Sequence, residues 1–370
     1  MDINKFINTI IEGDTIKNLK RLPDESIDFI FADPPYYMQT EGELLRVDGT
    51  KFKGVEDKWD KFKDFKDYDD FTKKWLKECK RVLKKDATIA VIGSFQNIYR
   101  IGNIMQDLGY WILNDIIWKK TNPVPNFSGK RFCNSHETIL WCSKNKKSKI
   151  TFNYKTMKYL NNEKQEKSIW EISLCTGNER LKDENGNKLH SSQKPEKLLY
   201  KLLISATKPK DIILDPFFGT GTTGAVAKEI GRNYIGIEKE KVYVEAAEKR
   251  IASKNYQRSL VTELTLEEKP PKVPVKKLLE KGYLQKNQEL YNSLGERKGI
   301  VLEDGNIFDG IETLSIHKMS AKLLNKANNN GWDYFYIIEK GNLISLNDLR
   351  YRYNKEGDYV YSKMGTKSYF

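Results

Sequence analysis

The feature that most constrains the fold is a strand, a glycine-rich turn, a helix and a second strand within residues 211–238. Residues 211–215 and 233–238 are short apolar runs that predict buried strands. Between them, residues 219–224 have the pattern Gly-x-Gly-x-x-Gly at the start of a helical segment. Glycines at this spacing allow a tight turn and a close approach of the backbone to a ligand. The unit therefore predicts an α/β fold with a ligand site at the carboxyl ends of its strands.

The rest of the first 260 residues repeats this alternation of strand and helix. Two strands that lie close together, at 111–118 and 138–142, favour one antiparallel member in a mostly parallel sheet. The prolines of residues 267–274 indicate a linker, and the aromatic residues that follow suffice for a small second core. We predict a main domain over 1–260, a linker over 261–284 and a C-terminal module over 285–370.

The chain is basic, which points to a polyanionic partner. It has 64 Lys and Arg against 51 Asp and Glu, a formal net charge of +13 in 370 residues. Its four cysteines lack the spacing of metal ligands, so we expect reduced thiols and no metal site. No long apolar run suggests export or membrane insertion, so we expect a cytoplasmic protein.

A second candidate site, Asp33-Pro34-Pro35-Tyr36, follows the apolar strand predicted over 27–32. The two prolines forbid helix and sheet pairing, so the chain leaves the sheet as a stiff, extended turn. Such a turn presents carbonyl oxygens, a carboxylate and an aromatic ring, which suits a flat ring that bears an amino group. Taken alone, the tetrapeptide is equally compatible with a plain strand-end turn.

The acids around the glycine-rich turn leave two cofactor classes to compare. Glu238, at the end of the second strand, completes the dinucleotide fingerprint, so a nicotinamide or flavin enzyme is one reading. Asp215 argues against it, because a carboxylate at that strand end would repel a pyrophosphate. S-adenosylmethionine instead offers an ammonium and a sulfonium to Asp215 and a ribose diol to Glu238. Thr220, Thr222 and the helix N-terminus would serve its carboxylate. Asp14, another strand-end acid, is either a ligand contact or a helix N-cap.

With both sites identified, the chain resembles the β group of DNA amino-methyltransferases. In that group an Asp-Pro-Pro-Tyr motif precedes an Asp-Pro-Phe-x-Gly-x-Gly-Thr motif, as residues 33–36 precede residues 215–222 here. The likeness spans nearly the whole chain and is strongest to the HinfI-type N6-adenine methyltransferases that modify GANTC. It is also carried by residues 30–42, 93–100, 122–127, 314–320 and 330–333.

The resemblance implies the fold and the roles of the site residues. The fold would be the seven-stranded, Rossmann-like methyltransferase sheet of the α/β class, circularly permuted so that the catalytic half comes first, with a small C-terminal α+β module. Asp33 and the Pro34 carbonyl would accept hydrogen bonds from adenine N6, and Tyr36 would stack on the extruded base. The residues expected to hold S-adenosylmethionine are Asp14, Lys194, Pro195, Asp215, Phe217, Gly219, Gly221, Thr222 and Glu238.

Lysines interleaved with aromatic residues favour a nucleic-acid surface between residues 144 and 167. This stretch has eight lysines and two glutamates; lysines neutralise phosphates and rings stack on bases. A solvated, lysine-rich excursion is the alternative. We predict that this stretch, the loop over 37–67 and the C-terminal module share the contact with DNA. The residues predicted to contact DNA are Lys144, Lys146, Lys147, Lys149, Lys155, Lys158 and Trp332.

The sequence therefore predicts an enzyme that transfers a methyl group from S-adenosylmethionine to N6 of an adenine flipped out of double-stranded DNA. It would act within a restriction–modification system or alone, with a target-recognition region at about residues 121–190. The alternatives are an N4-cytosine methyltransferase, a nicotinamide-dependent dehydrogenase and a non-catalytic DNA-binding protein with this fold. A cognate restriction endonuclease and a homodimer are left open.

Overall fold

The computed structural model describes residues 2–37, 44–45, 51–52, 61–126, 129–268 and 272–354, which divide into two compact units between Leu264 and Thr265. Most of the predicted loop over 37–67 lies outside the described residues, as do residues 355–370 of the predicted module. None of the helices within the described ranges combines the length and the apolar composition that a membrane span needs.

The first unit contains a large sheet and seven α-helices in its described part. The sheet strands are β1 (Thr9–Glu12), β2 (Ile27–Ala32), β5 (Leu83–Gly93), β6 (Trp111–Lys120), β7 (His136–Ser143), β8 (Ile169–Ile172), β9 (Ile212–Asp215) and β10 (Asn233–Glu238). Two short strands, β3 (Leu44–Leu45) and β4 (Lys51–Phe52), pair with each other outside it. The helices are α1 (Thr15–Leu19), α2 (Phe65–Val82), α3 (Ile98–Asp107), α4 (Tyr154–Leu160), α5 (Glu196–Ala206), α6 (Thr222–Glu229) and α7 (Lys241–Ala252).

The sheet is mixed, with the strand order β1-β10-β9-β2-β5-β7-β6-β8. Strand β7 runs antiparallel to its neighbours β5 and β6, and the other adjacent pairs are parallel. This arrangement confirms the mostly parallel α/β sheet with an antiparallel member. The sheet has eight strands rather than the expected seven, because the short strand β8 pairs with β6 as an additional outer strand.

The central strands are buried on both faces, which is why their sequences read as continuous apolar runs. In β2, Phe29 and Phe31 pack into the core formed with α5, α6 and α7. Ile30 and Ala32 pack on the other face, into the core formed with α1, α2 and α3. The first unit therefore has three layers, with helices on both sides of the sheet.

The two sequence motifs meet at one edge of this sheet. Asp33 follows β2, Asp215 ends β9, and these parallel strands are direct neighbours. The chain continues from β2 to α2 on one face and from β9 to α6 on the other, so a crevice opens between the strand ends. We call the edge at Ala32 and Asp215 the site edge, and the edge where β2 and β9 begin the far edge. Because β7 is antiparallel, it begins at the site edge and ends at the far edge.

The second unit has an antiparallel sheet and a core of its own. Its strands are β11 (Glu289–Tyr291), β12 (Arg297–Val301), β13 (Ile307–Phe308), β14 (Thr313–Leu314), β15 (Tyr336–Glu339) and β16 (Asn342–Ser345), in the order β14-β13-β12-β11-β15-β16. Its helices are α8 (Val275–Glu280), α9 (Ile316–Leu323), α10 (Gly331–Tyr334) and α11 (Leu346–Asn354). Val273, Val275 and Leu278 pack in its core. Residues 272–284, which we expected to be part of a linker, therefore belong to this unit.

Candidate active site

A cavity of about 300 Å³ opens at the site edge. It is lined by all four residues of the turn 33–36 and by seven of the nine predicted cofactor residues, whereas Pro195 and Gly221 are not part of the lining. The seven are Asp14, Lys194, Asp215, Phe217, Gly219, Thr222 and Glu238. The structure thus brings two motifs that are far apart in the sequence into one cavity.

Only one carboxylate oxygen of Asp33 is paired within the described residues. Oδ2 lies 2.7 Å from Nζ of Lys194, whereas Oδ1 is buried without a hydrogen-bond partner in the part of the chain that the structure describes. Burial raises the pKa of Asp33 above its usual value, and the charge of Lys194 opposes that rise. Because an unpaired buried acceptor is costly, a donor group bound beside Asp33 would be stabilised.

The turn after Asp33 is held by residues outside the motif. The Pro35 carbonyl accepts hydrogen bonds from the Tyr68 hydroxyl at 2.9 Å and from Nδ2 of Asn97 at 3.5 Å. Asn97 also donates to the Tyr68 hydroxyl at 3.1 Å. Gly93 leaves room for this amide, since a Cβ at position 93 would lie 2.7 Å from Oδ1 of Asn97. Tyr68 and Asn97, which the sequence did not predict as site residues, thus fix the orientation of the prolines.

A network of two acids and two lysines lies beside the turn. The Tyr36 hydroxyl donates to Glu137 at 2.9 Å. Glu137 also pairs with Lys120 at 2.8 Å and lies 3.8 Å from Lys194. Nζ of Lys194 lies 5.2 Å from the centre of the Tyr36 ring. The charges of Asp33 and Glu137 are therefore balanced by two lysines, and Tyr36 is held by Lys194 beside its ring and by Glu137 at its hydroxyl.

The charges in this network set the protonation of its members. Burial alone would raise the pKa of Glu137, but Lys194 and Lys120 hold it below its usual value. Burial alone would lower the pKa of Lys194, but Asp33 and Glu137 hold it above its usual value. Burial, together with the two acids, raises the pKa of Tyr36 well above its usual value. The Tyr36 phenol therefore stays protonated and donates to Glu137.

Asp215 occupies the same strand-end position as Asp33 but has neutral hydrogen-bond partners. Its carboxylate accepts from the Thr223 hydroxyl and from the Phe217 N–H at 3.0 Å. Burial raises the pKa of Asp215 to about 7, and the charges of Asp33 and Glu238 contribute to the rise. A cation placed in the cavity would stabilise the charged form of this acid.

Glu238 organises the glycine-rich turn. Its Oε2 accepts from the N–H of Gly219 at 2.6 Å, and its Oε1 accepts from the N–H groups of Lys239 and Glu240. Gly221 has a φ of +75°, and a Cβ there would lie 2.6 Å from Cβ of Ala247. Glycine is therefore required at position 221 by both conformation and packing. These hydrogen bonds and this packing define the conformation of the turn within the protein itself.

Residues 190–196 connect the two corners of the cavity. The side chain of Lys194 pairs with Asp33, while the Lys194 carbonyl accepts from the Thr222 hydroxyl at 3.3 Å. The same hydroxyl accepts from Arg250 at 2.8 Å. The hydroxyl of Thr222, predicted to contact the cofactor, is thus already engaged within the protein.

Asp14 and His190 complete the lining of the cavity. Oδ1 of Asp14 accepts from the N–H of Lys17 at 2.8 Å, so the residue is a helix N-cap and a lining residue at once. The ring of His190 packs against Tyr243, with ring centres 4.7 Å apart, and burial lowers the pKa of His190 to about 4. Neither His190 nor Tyr243 was predicted, because single aromatic residues in polar sequence carry no motif.

The lining fits a cation-bearing methyl donor better than a dinucleotide. The carboxylates of Asp14, Asp215 and Glu238 all line the cavity. A diphosphate would add negative charge beside them, whereas an ammonium or sulfonium would offset the burial of Asp215. No group of three or more His, Cys, Asp or Glu side chains in the described ranges is arranged to hold a metal ion.

The structure does not bring the predicted DNA-contacting lysines to this cavity. Lys144 follows β7 at the far edge, where its Nζ contacts the Leu83 carbonyl at 2.6 Å and Glu25 at 2.9 Å. The segment that leads to α4 is also tied to the far edge, since Asn153 donates to the carbonyl of Thr207 after the end of α5. The lysines concerned are Lys144, Lys146, Lys147, Lys149, Lys155 and Lys158. Charge composition indicated a basic surface but not the edge of the sheet on which it lies.

Trp332, the other predicted DNA contact, is 7% exposed. It packs in the core of the second unit, with the guanidinium of Arg350 4.4 Å from its ring centre. The aromatic pattern around residue 332 reflects this small core, and the buried ring offers little surface to DNA.

Glu137 is the most informative residue that the sequence did not reveal. In the sequence, Glu137 is recognisable only as an acid directly before the apolar run 138–142. Because β7 is antiparallel, its first residues lie at the site edge, and this can be inferred only once the direction of the strand is known.

Comparisons with known proteins agree with this geometry. A family model described as DNA methylase matches residues 27–249, more than half of the chain. M.HinfI, a type II methyltransferase of Haemophilus influenzae, is 63% identical over 355 residues, which cover 96% of this chain and 99% of that protein. The chain belongs to the DNA methylase family. This DNA methyltransferase uses S-adenosylmethionine as its methyl donor.

Three further matches extend the comparison to the second unit, to another type II methyltransferase and to the fold. A family model described as Restriction Enzyme Adenine Methylase Associated matches residues 258–358. M2.DpnII, a type II methyltransferase of Streptococcus pneumoniae, is 44% identical over 253 residues, covering 68% of this chain and 91% of that protein. The solved structure of PvuII DNA methyltransferase, described as cytosine-N4-specific, aligns with a TM-score of 0.52 at 21% identity over 69% of this chain and 90% of that one. This structural likeness concerns the fold alone and confirms the methyltransferase sheet.

Proposed function

We propose that this methyltransferase modifies the N6 amino group of an adenine extruded from double-stranded DNA, within GANTC. The observation that carries the proposal is the 63% identity to M.HinfI over nearly the full length of both chains. The description of the second family model, which specifies adenine methylases, supports the same base. Asp33 before Pro-Pro-Tyr also favours adenine over cytosine. GANTC is the sequence modified by the HinfI-type group that the chain resembles.

The acceptor groups of Asp33 and Pro34 are proposed to activate the adenine. The amino nitrogen is a weak nucleophile because its lone pair is delocalised into the ring. Two hydrogen bonds, to Oδ1 of Asp33 and to the Pro34 carbonyl, would favour a tetrahedral nitrogen and localise that lone pair. Lys194 holds Oδ2 of Asp33 at 2.7 Å, which keeps the carboxylate oriented while Oδ1 receives the substrate. Extrusion of the base costs roughly a few kcal/mol.

Tyr36 is proposed to support the extruded base with its ring. The ring lines the cavity, and its hydroxyl is held by Glu137 at 2.9 Å. A ring that is fixed in advance loses little conformational freedom when the base stacks on it, so it contributes to positioning. Glu137 and Lys120 act here as positioning residues, because they reach the substrate only through Tyr36 and Lys194.

The glycine side of the cavity is proposed to hold the methyl donor. When bound, S-adenosylmethionine supplies an electrophilic methyl group on a sulfonium. We assign Asp215 to its cationic end, Glu238 to its ribose hydroxyls and Asp14 to its adenine. Thr222 and Gly221 are assigned to shaping the turn, since the Thr222 hydroxyl is engaged and Gly221 is not part of the lining.

We also propose a restriction–modification context, with an endonuclease of the same specificity as the partner. The type II designation of M.HinfI and the description of the second family model support this context.

The test is to incubate unmethylated DNA with the protein and tritiated S-adenosylmethionine, then to map the modified positions and identify the methylated nucleoside. We expect N6-methyladenine within GANTC. N4-methylcytosine as the product would overturn the proposed base, and another site would overturn the proposed sequence. Asp33→Ala should abolish the transfer, whereas Asp107→Asn, at an exposed acid near the far edge, should not.

A further inference from the structure

Exposed aromatic rings and a basic residue lie together at the site edge. Phe95 and Tyr99, which follow β5, are 44% and 75% exposed, and Phe132, in the connection from β6 to β7, is 97% exposed. The guanidinium of Arg131 lies 5.6 Å from the centre of the Phe95 ring, so the two segments meet. We call Phe95, Tyr99, Arg131 and Phe132 the aromatic rim. Large apolar side chains grouped at the surface mark a contact surface more often than isolated ones do.

The segments that carry the aromatic rim are the segments that hold the catalytic turn. Asn97, between Phe95 and Tyr99, donates to the Pro35 carbonyl. Glu137, five residues after Phe132, accepts from the Tyr36 hydroxyl. The rim is therefore joined, through Asn97 and Glu137, to the turn beside which the extruded base has to lie.

We propose that the aromatic rim is the surface on which the DNA duplex docks beside the extruded base. This inference rests on the proposed function. The charge of Arg131 complements the phosphate backbone, and the exposed rings of Tyr99 and Phe132 can pack against sugars and unstacked bases. A duplex held there places its extruded base next to Asp33, whereas a duplex held at the far edge would lie on the opposite side of the sheet.

The far edge offers a matched control. Trp111 begins β6 there and is 45% exposed, with Nζ of Lys146 4.9 Å from its ring centre. The pair resembles Arg131 and Phe95 in chemistry and exposure and differs from it in position. The two pairs therefore separate the effect of location from that of an exposed ring with a cation above it.

The experiment measures the binding of the full-length protein to a fluorescent duplex with one unmethylated GANTC site by anisotropy at several salt concentrations. The double variant Tyr99→Ala with Phe132→Ala should raise Kd about tenfold or more, because the loss of even one stacking contact between a base and an aromatic ring weakens binding by about this factor. Arg131→Ala should raise Kd and reduce the slope of log Kd against log salt by about one. Trp111→Ala, at an exposed ring that no part of the DNA surface includes, should leave Kd within twofold of the wild-type value.

Thermal midpoints and S-adenosylmethionine binding are measured on each variant, and they should not change, since the rim side chains are exposed. Rim variants that bind the duplex like the wild type, or a far-edge variant that binds as poorly as the rim variants, would overturn the proposal. Failure of the proposed function has a different signature. In that case the wild type would yield no N6-methyladenine, whereas the contrast in binding between the two edges would persist.

Discussion

Asp33 and Asp215 sit at the ends of neighbouring parallel strands, and each is followed by a proline, yet their surroundings differ. Asp33 has a lysine 2.7 Å from one oxygen, and that lysine belongs to a balanced network of charges. Asp215 is bound by a hydroxyl and a backbone N–H, both neutral. Burial raises the pKa of both acids, but only that of Asp33 is opposed by a cation at hydrogen-bond distance.

The difference teaches how one geometry can serve two ligands. Asp33 is paired with Lys194 and oriented before the substrate arrives, as an acceptor for an amino group must be. Asp215 lacks a counter-ion in the described structure, so a cationic ligand gains by binding beside it. Under the proposed function, the same strand-end position provides a prepared acceptor in one strand and a cation site in the next.

The largest expected effect is that of Asp33→Asn on methyl transfer. This variant is the most direct test of the difference between Asp33 and Asp215. The amide keeps the size of the side chain but loses the charge that accepts from the amino group. We expect a loss of about 10²–10³-fold in the single-turnover rate, as for other preorganised electrostatic contacts. Calorimetric affinity for S-adenosylmethionine should change less than threefold. A variant that lost donor binding as much as rate would show that the two acids share one role.

The next effect concerns stability without ligand in the variant Asp215→Asn. A raised pKa means that the folded state holds a proton that the unfolded state releases, so Asp215 costs stability as pH rises from about 4 to above 7. The amide removes that cost. We expect the variant to exceed the wild type in unfolding free energy by on the order of 2–4 kcal/mol above pH 7, and to lose this advantage below pH 4. Urea unfolding at several pH values measures it, and a gain that does not depend on pH would contradict the assignment.

A smaller effect tests whether Asp215 contributes to binding of the methyl donor. The same Asp215→Asn change should weaken S-adenosylmethionine binding roughly 10–100-fold, since a hydrogen bond to a charged group contributes about 1.5–3 kcal/mol. In the wild type, donor affinity should rise with pH and level off above about 7, where Asp215 is ionised. Isothermal titration in buffers of different ionisation enthalpy should detect proton release below that pH. Unchanged affinity in the variant would remove Asp215 from the donor site.

The smallest expected effect tests how the network tunes Asp33. Glu137→Gln keeps an acceptor for the Tyr36 hydroxyl but removes a negative charge that raises the pKa of Asp33. The acidic limb of the pH–rate profile should therefore move to lower pH, with less than tenfold change in the rate at its maximum. If Glu137 had a purely structural role, the variant would have a lower rate, and the acidic limb of its pH–rate profile would stay at the wild-type position.

The sequence predicted the parts of the site that are local in the chain. Strand β10 has the bounds expected for it, residues 233–238, and the turn at residues 219–224 lies where the glycine pattern indicated. Short motifs are readable because strand, turn and helix residues follow one another directly. The resemblance implied a methyltransferase sheet, and in the structure β2 and β9 are direct neighbours within it.

Contacts that depend on strand direction could not be predicted. Glu137 reaches Tyr36 only because β7 runs antiparallel, and for the same reason the lysines of residues 144–149 lie at the far edge. The composition indicated that this surface is positively charged, whereas the topology of the strands determines the edge of the sheet on which it lies. The core of the second unit starts earlier than expected because Val273 and Leu278 are apolar residues spread through a lysine-rich stretch.

The segment 190–196 has a consequence for how the two substrates meet. Because its lysine touches the acid of one corner through the side chain and the threonine of the other through the carbonyl, a shift at either corner is transmitted along a few covalent bonds. Occupancy of one corner should therefore alter affinity at the other, and linkage requires the same factor in both directions. DNA bound first would then tighten the hold on the donor by as much as the donor tightens the hold on DNA.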